Sequence, residues 1–551
     1  MYISTAIAIV GLLTGSSVGS PLSSKSGLTR RAETFDNPVL WQDYPDLDVF
    51  RIGDVFYYSS STFAFSPGAP VLKSYDLVNW TPVTHSVPRL NFGSQYDLDN
   101  PSDRAYVEGI WASTLRYRES TDKFIWIGCI QSTGESYIWT ADGTNAAANN
   151  GEVSNWNWTA AGTFPKCYYD NGLFIDDDDT MYMVYDKYQI KVAQLNADGT
   201  AEVRSQQVYE DPNGLYLEGS RMYKINGTYY IFATKPADDE WVLKSDSPWG
   251  PYEARILVDS IAGPLANAGN SHQGGVVDDK DGNWYYVAFL DSYPGGRIPV
   301  VAPLTWTEDG WPEVVRVNGE WGKTYPIPVT TDKTVPPPTG FDDFTGTALS
   351  DEWEWNHNPD NSKWSLAGDA GGLQLQTATV TTDLYSARNT LTHRILGPKS
   401  SGTFKIDISK MATGDRAGAV LFRDTGAYIG FHKENSTTTK LVMVNDLKMN
   451  ADWTTNSTGT VAATGPALAS NTTEFWLRVE SDITPAFGTN IMRQTTFWYS
   501  IDGSDFLQLG PAFDMSNTWQ FFTGYRFGVF NFATAELGGE ITVENFELKL
   551  V

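Results

Sequence analysis

Three carboxylates and one imidazole recur at the same phase of a repeating pattern. Asp46 stands seven residues before the turn glycine Gly53, Asp170 eight before Asp178, Glu218 eight before Asn226 and His272 nine before Asp281. Carboxylates gathered in one cleft push their pKa values apart, and that separation makes one a general acid and another a general base. A single Asp before a strand is ordinarily a cap or turn residue, and a single His is usually structural. The phase shared by four repeats is what points to a common site. Asp43 and Asp48 flank Asp46 and read either as a cation site or as a polar rim, and Asp176 to Asp179 read as a solvated turn.

The pattern that carries these residues is a hairpin written five times: an apolar or aromatic run, a tight polar turn and a second aromatic run. The five segments are Phe50–Tyr58, Leu115–Trp126, Leu173–Tyr182, Met222–Tyr230 and Val276–Tyr286. Asn226-Gly227 and Asp281-Gly282 are strong hairpin signals, because a type I′ turn needs φ > 0 at both central residues. Recurrence at roughly 45–70 residues is the spacing of β-propeller blades. Five blades set five inner strands around one axis, and the phase places Asp46, Asp170, Glu218 and His272 at the entry to those strands.

At 551 residues the chain exceeds one ordinary core. Residues 32–329 carry the five hairpins and are expected to form the propeller. Three consecutive prolines in the segment 330–340 favour an extended linker. From Phe341 to Val551 short alternating strands such as Gly402–Ile408 and Glu474–Val479 replace the hairpin grammar and predict a β-sandwich of the concanavalin or jelly-roll type. The fold expected is therefore all-β, a five-bladed β-propeller followed by a β-sandwich.

A formal charge of −27 excludes a nucleic-acid partner and suits a neutral substrate. Aromatic content of 14%, with 20 Trp and 28 Tyr, fits β structure and also fits stacking on sugar rings. The apolar run Ile3–Leu13 with small residues after it reads as a signal peptide over 1–20, although no Lys or Arg precedes it. Residues 21–31 then read as a propeptide ending at the dibasic Arg30-Arg31. No later stretch suits a membrane helix, so a secreted, extracellular protein without a membrane partner is expected. Six Asn-x-Ser/Thr sequons, at Asn79, Asn157, Asn226, Asn435, Asn456 and Asn471, agree with that. Cys129 and Cys167 read equally well as one disulfide or as buried thiols.

Taken in order and one per blade, Tyr44-Pro-Asp46, Ser74-Tyr-Asp-Leu-Val-Asn-Trp80, Gly109-Ile-Trp111-Ala, Asp170-x-x-Leu-Phe174, Glu218-Gly219, Gly295-Gly-Arg297 and Trp306-x-x-Asp-Gly-Trp-Pro312 resemble glycoside hydrolase family 43. The segment opening at Phe341-Asp-Asp-Phe344 is similar to the sandwich fused to family β-xylosidases and arabinofuranosidases. The resemblance implies single-displacement hydrolysis with inversion. It implies Asp46 as general base, Glu218 as general acid and Asp170 as the third carboxylate, which raises the acid's pKa and orients it. It implies Arg297 on sugar hydroxyls, with Phe63, Trp111 and Tyr169 in the pocket; core packing is the alternative for Phe63 and Trp111. No cofactor is implied as required. His272 matches an axial family position often near calcium. Here the text is Ser271-His-Gln-Gly274 instead of Gly-His-Gly, and His272 would hold a structural calcium through water.

Among family activities the resemblance is to secreted fungal α-L-arabinofuranosidases that debranch arabinoxylan, including doubly substituted xylose, and Tyr169 before Asp170 favours this. The alternative is an exo-acting β-xylosidase on xylo-oligosaccharides. A non-catalytic carbohydrate-binding propeller is the alternative of another class, and three placed carboxylates argue against it. The partner expected is a plant cell-wall polysaccharide, and a monomer is expected.

Overall fold

The computed structural model describes residues 33–551 apart from Pro101 and Ser470. The signal-peptide and propeptide readings on residues 1–31 lie outside the described residues. The described chain is all-β. Five four-stranded antiparallel sheets follow one another, each built from strands in sequence order, with only the short strand Phe65–Ser66 passed over in the first. Their first strands are Asp48–Ile52, Thr114–Arg118, Gly172–Ile175, Glu218–Ile225 and Ser271–Asp278. Each first strand touches the next around a closed ring, with the fifth against the first. This is the five-bladed propeller read from the hairpins. Strand Thr34–Asp36 pairs with Thr324–Pro326 and fastens the two ends of the propeller segment together.

The turns follow the residues. Ile225 pairs directly with Thr228, leaving Asn226 and Gly227 at φ 53° and 84°, as a type I′ turn requires. The second turn signal behaves differently. At Asp281-Gly282 only Gly282 has positive φ, and the loop is longer, held by the Asp279 carboxylate, which accepts from the Asp281 and Asn283 amides at 2.9 Å each. An Asx-type cap here replaces the tight turn.

Between Pro326 and Gly340 the chain forms no strand or helix. Beyond it, two large antiparallel sheets, of nine and eight strands among the described residues, pack as a sandwich. Strand Glu474–Asp482 shows the rule: Phe475, Leu477 and Val479 are fully buried while the residues between them are not. Strand Arg526–Ala533 is buried along its whole length. Phe527 and Val529 face the sandwich core, and Phe530 and Phe532 face a second cluster that includes Phe65 and Tyr106 of the propeller segment. At that strand this sheet of the sandwich has no wet face, although its edge strand Thr455–Thr464 is largely exposed. Phe65–Ser66 of the propeller segment even joins that sheet, pairing with Trp355 and Asn356. The chain from Thr34 to Val551 is one compact unit.

Candidate active site

The tripeptide Tyr44-Pro-Asp46 is fixed from both sides before any catalytic role is considered. The Tyr44 amide donates to the Arg297 carbonyl at 3.1 Å, and the Tyr44 carbonyl accepts from Tyr58 Oη at 2.6 Å. The Pro45 carbonyl accepts from Ser60 Oγ at 2.8 Å and from the Ser61 amide at 3.1 Å. Asp46 is buried, sits at φ 55°, and its carboxylate is ion-paired to Arg297 Nη1. Asp170 is likewise buried and left-handed, at φ 48°. Asp tolerates that region better than most residues, and such outliers gather where a side chain must be aimed.

Glu218 opens the fourth inner strand, half-buried, next to Gly219 at φ 68°. A Cβ on Gly219 would lie 2.9 Å from Gln273 Cγ, so Glu218-Gly219 is a packing requirement as well as a motif. Tyr216 Oη and Tyr169 Oη both donate to Glu218 Oε2, at 2.7 and 2.8 Å. Both donors favour the charged form, as does the nearby Lys187, but burial and the charge of Asp46 prevail and raise the Glu218 pKa. Burial, then the charges of Glu218 and Asp46, hold the Asp170 carboxyl well above the usual range against Arg221 and Arg297. Crowding of the carboxylates therefore favours the protonated form of both. The two phenols occupy Oε2, so Oε1 is the oxygen free to carry a proton toward a substrate.

Phe63, Trp111 and Tyr169 stand side by side in a chain of ring contacts. Phe63 is tied to the second blade by a reciprocal pair with Ile110, Phe63 N to Ile110 O at 2.9 Å and the reverse at 3.1 Å. Gly109 passes so close that a Cβ would meet the Phe63 carbonyl at 2.4 Å. Trp111 donates Nε1 to the Val107 carbonyl at 2.9 Å and lies 6.5 Å, ring to ring, from Tyr169. His272 is buried, with Nδ1 2.9 Å from the Asn270 carbonyl, Nε2 4.0 Å from Asp291, and its ring against Phe289. Arg297 stacks over that same Phe289, at 5.3 Å. One imidazole and one carboxylate are too few donors for a protein-ligated calcium. Among the described residues no three His, Cys, Asp or Glu side chains are grouped to hold a metal.

Several residues join the site without a reading from sequence. Phe522, from the sandwich, stacks on Phe63 at 5.6 Å and 5°, and its carbonyl accepts from Arg297 Nε at 3.2 Å and from Tyr293 Oη at 3.0 Å. Arg221 is buried and donates to the carbonyls of Leu47, Ser113 and Asn171, pinning blades one, two and three from blade four. The two alternatives for Asp43 and Asp48 resolve into neither a cation site nor a rim. Asp43 accepts from the Arg297 and Gly524 amides, at 2.7 and 2.9 Å, bridging propeller and sandwich. Asp48 accepts from Thr114 Oγ1 and the Leu115 amide, at 2.7 and 3.0 Å, and pairs with Arg116, joining blades one and two. Cys129 and Cys167 are bonded, tying the second blade to the segment that ends at Asp170.

Three inward carboxylates in unlike environments, beside an arginine and an aromatic wall on a propeller axis, define a hydrolytic sugar site more readily than a lectin pocket. The profile of glycosyl hydrolases family 43 matches residues 35–312, and that of the β-xylosidase C-terminal concanavalin A-like domain matches residues 341–549. The chain belongs to glycosyl hydrolase family 43 and is a glycoside hydrolase. It is similar to a β-xylosidase of Formosa agariphila, 29% identical with 93% of this chain and 90% of that protein covered. It is similar to the non-reducing end α-L-arabinofuranosidase BoGH43B of Bacteroides ovatus, 27% identical over 71% of this chain and 74% of that one. A solved structure matches 94% of this chain and 100% of its own with a TM-score of 0.92 and 62% identity; it is described as a family 43 enzyme engineered at its active site to display both endo-xylanase and exo-arabinofuranosidase activity.

Proposed function

We propose that the protein is an inverting α-L-arabinofuranosidase that removes arabinofuranosyl side chains from arabinoxylan, including those on doubly substituted xylose. The observation that carries the mechanism is the contrast between two carboxyl environments. Asp46 faces the Arg297 guanidinium, whereas burial and the charge of Asp46 raise the Glu218 pKa and favour its protonated form. Asp46 takes a proton from water, whose oxygen attacks the anomeric carbon from the face opposite the leaving oxygen. The glycosidic bond breaks as Glu218 Oε1 gives its proton to that oxygen. Asp170 acts by keeping the proton on Glu218 and by aiming it. The anomer first released is opposite in configuration to the substrate, readable by proton NMR before mutarotation.

The 62% identical relative, with its exo-arabinofuranosidase description, supports the arabinose reading. The Formosa β-xylosidase, matching nearly the full chain, favours the second reading, an exo-acting β-xylosidase. Product analysis on arabinoxylan, linear arabinan and xylobiose separates them: arabinose from arabinoxylan and no xylose from xylobiose is expected, and xylose from xylobiose overturns the first reading. We infer no cofactor for this chemistry, and any axial calcium would be held through water at His272. Secretion, N-glycosylation and a monomeric state complete the proposal; N-terminal sequencing, glycosidase treatment and light scattering test them.

A further inference from the structure

Two bulges meet beside the site, one in the first strand of blade four and one in the first strand of blade five. In blade four Glu218 pairs with Thr234 and Arg221 with Phe232, so Gly219 and Ser220 stand opposite Ala233 alone. In blade five His272 pairs with Phe289 and Gly275 with Val287, so Gln273 and Gly274 stand opposite Ala288 alone. A bulge bends its strand and re-aims the side chain next to it, and it leaves amides that need a partner outside the ladder. The side chain next to the first bulge is Glu218. Gln273, at φ 47°, lays its side chain against Gly219: a Cβ there would stand 2.9 Å from Gln273 Cγ and 3.2 Å from its Nε2. The position of the first bulge thus depends on that of the second.

The second bulge is held by Glu240. This residue is fully buried on Asp239–Ser245, the third strand of blade four. Its Oε2 accepts from the Gln273 amide at 2.9 Å, and the Gly274 amide acts on the same carboxyl. Tyr286, from the second strand of blade five, packs directly on the bulge: a Cβ on Gly274 would stand 2.4 Å from its Cε2. Neither Glu240 Oε1 nor the Tyr286 hydroxyl beside this carboxyl has a well-aligned partner among the described residues. Arg221 is the nearby cation, but its arms go to the carbonyls of Leu47, Ser113 and Asn171. Burial outweighs Tyr286, both amides and Arg221, and it pushes the Glu240 pKa up to about 8. Below that pH the group is a neutral acid, the form that sits in this interior without an ion-pair partner.

We propose that Glu240 is a positioning residue for Glu218: it fixes the blade-five bulge, and that bulge fixes the blade-four bulge beside which Glu218 projects. Its effect on the reaction passes only through Gln273 and Gly219. The proposal rests on Glu218 as the general acid. Glu240→Ala takes the acceptor from the bulge amides and is expected to lower kcat on arabinoxylan or xylobiose, whichever the enzyme hydrolyses, about ten- to a hundredfold, the scale of a misplacement near 1 Å. KM is expected to move by no more than about threefold, because binding is left alone. Glu240→Gln keeps an uncharged acceptor in the same place and is expected to restore most of the rate. On an activated aryl glycoside, whose leaving group needs no proton, the loss from Glu240→Ala is expected to be at least about tenfold smaller. In a Glu218→Ala background, adding Glu240→Ala is expected to change the rate by less than about twofold, because the two residues act as one unit. Gln273→Ala keeps the bond to Glu240 and removes only the side chain on Gly219; it is expected to show the same substrate-selective loss, and it decides the matter if Glu240→Ala does not fold. A kcat within about twofold of wild type in the folded variants, equal losses on both substrates, or losses that multiply in full with Glu218→Ala would overturn the proposal. A wrong reading of Glu218 shows separately, because Glu218→Ala alone would then cost the same on both substrates.

Discussion

Glu354 is a fully buried charge that binds groups from both domains, and its replacement by Gln tests how the two domains depend on one another. It is fully buried in the sandwich and meets Arg526 Nη1 at 2.6 Å, Arg394 Nη1 at 2.9 Å and, from the propeller, His85 Nε2 at 3.0 Å. Glu354→Gln keeps the shape and leaves two buried guanidinium groups uncompensated. Breaking a buried pair in this way costs about 3–5 kcal/mol. With unfolding entropy of about 2 cal/mol/K per residue over the roughly 500 residues of the compact unit, that lowers Tm by about 3–5 °C. The site should feel it too, because Arg394 Nε also donates to the Asp43 carbonyl at 2.8 Å and its guanidinium stacks 4.1 Å over Tyr44. The pH dependence has a definite sign. Despite burial, the two arginines and His85 hold the Glu354 carboxyl far below the carboxylate range, so its contribution is present above about pH 4.5 and is lost only in strong acid. His85 lies between Glu354 and Asp351 Oδ1, at 3.7 Å, and these partners outweigh burial and raise its pKa. Its contribution is complete below about pH 6.5 and is lost as pH rises through the raised folded value. The interface is therefore strongest between about pH 4.5 and 6.5, and calorimetry of wild type and Glu354→Gln across pH 4–9 should show the largest Tm gap there. A variant melting within 1 °C of wild type at pH 5.5 would refute the reasoning.

Asp46→Asn should reduce turnover on arabinoxylan by at least the 10²–10⁴-fold typical of one general acid–base group, in a protein with unchanged circular dichroism; near-normal rates would remove Asp46 from the mechanism. Glu218→Ala should cost far more on a natural glycoside than on an aryl glycoside whose leaving group needs no proton, and equal losses would count against Glu218 as the acid. Tyr216→Phe deletes a donor that favours the charged form of Glu218, so the alkaline limb of the kcat/KM profile should move to higher pH; a limb that stays fixed or moves down would show that Tyr216 does not tune the acid.

The parts of the site that could be read from sequence are the parts encoded locally. Asp46, Asp170 and Glu218 each precede a turn at nearly constant spacing, and inner strands arranged around one axis convert equal spacing into convergence. Tyr216 is also local: it stands two residues before Glu218, just outside the strand that Glu218 opens, and its hydroxyl reaches Oε2. Phe522 is not. It contacts Arg297 across 225 residues, from a loop whose own sequence speaks only of a turn. Strand Arg526–Ala533 was equally opaque, because alternation reveals a buried face only when the other face is wet, and here the propeller covers it. The disulfide stayed open because Cys129 lies in an apolar strand where a thiol packs equally well, and only the position of Cys167 beside it decides.

The role of the sandwich follows from what Arg297 needs. A guanidinium presents five donors in a fixed fork, and a buried one is costly unless its arms are spent. In this protein one arm meets Asp46, the Nε–H reaches the Phe522 carbonyl, and the faces of the group are covered by Phe289, Phe522 and Phe63. Two of those supports come from the sandwich through one residue. The Asp43 carboxylate adds a third link, accepting from the Arg297 and Gly524 amides together. Remove the sandwich, and Arg297 loses a hydrogen-bond acceptor and a stacking partner and gains water, in which its pairing with Asp46 weakens. Asp46 would then take up water without the guanidinium that fixes its orientation. The proposed general acid, Glu218, depends on the propeller alone, through Tyr169, Tyr216 and Asp170, whereas the proposed general base, Asp46, depends on both domains.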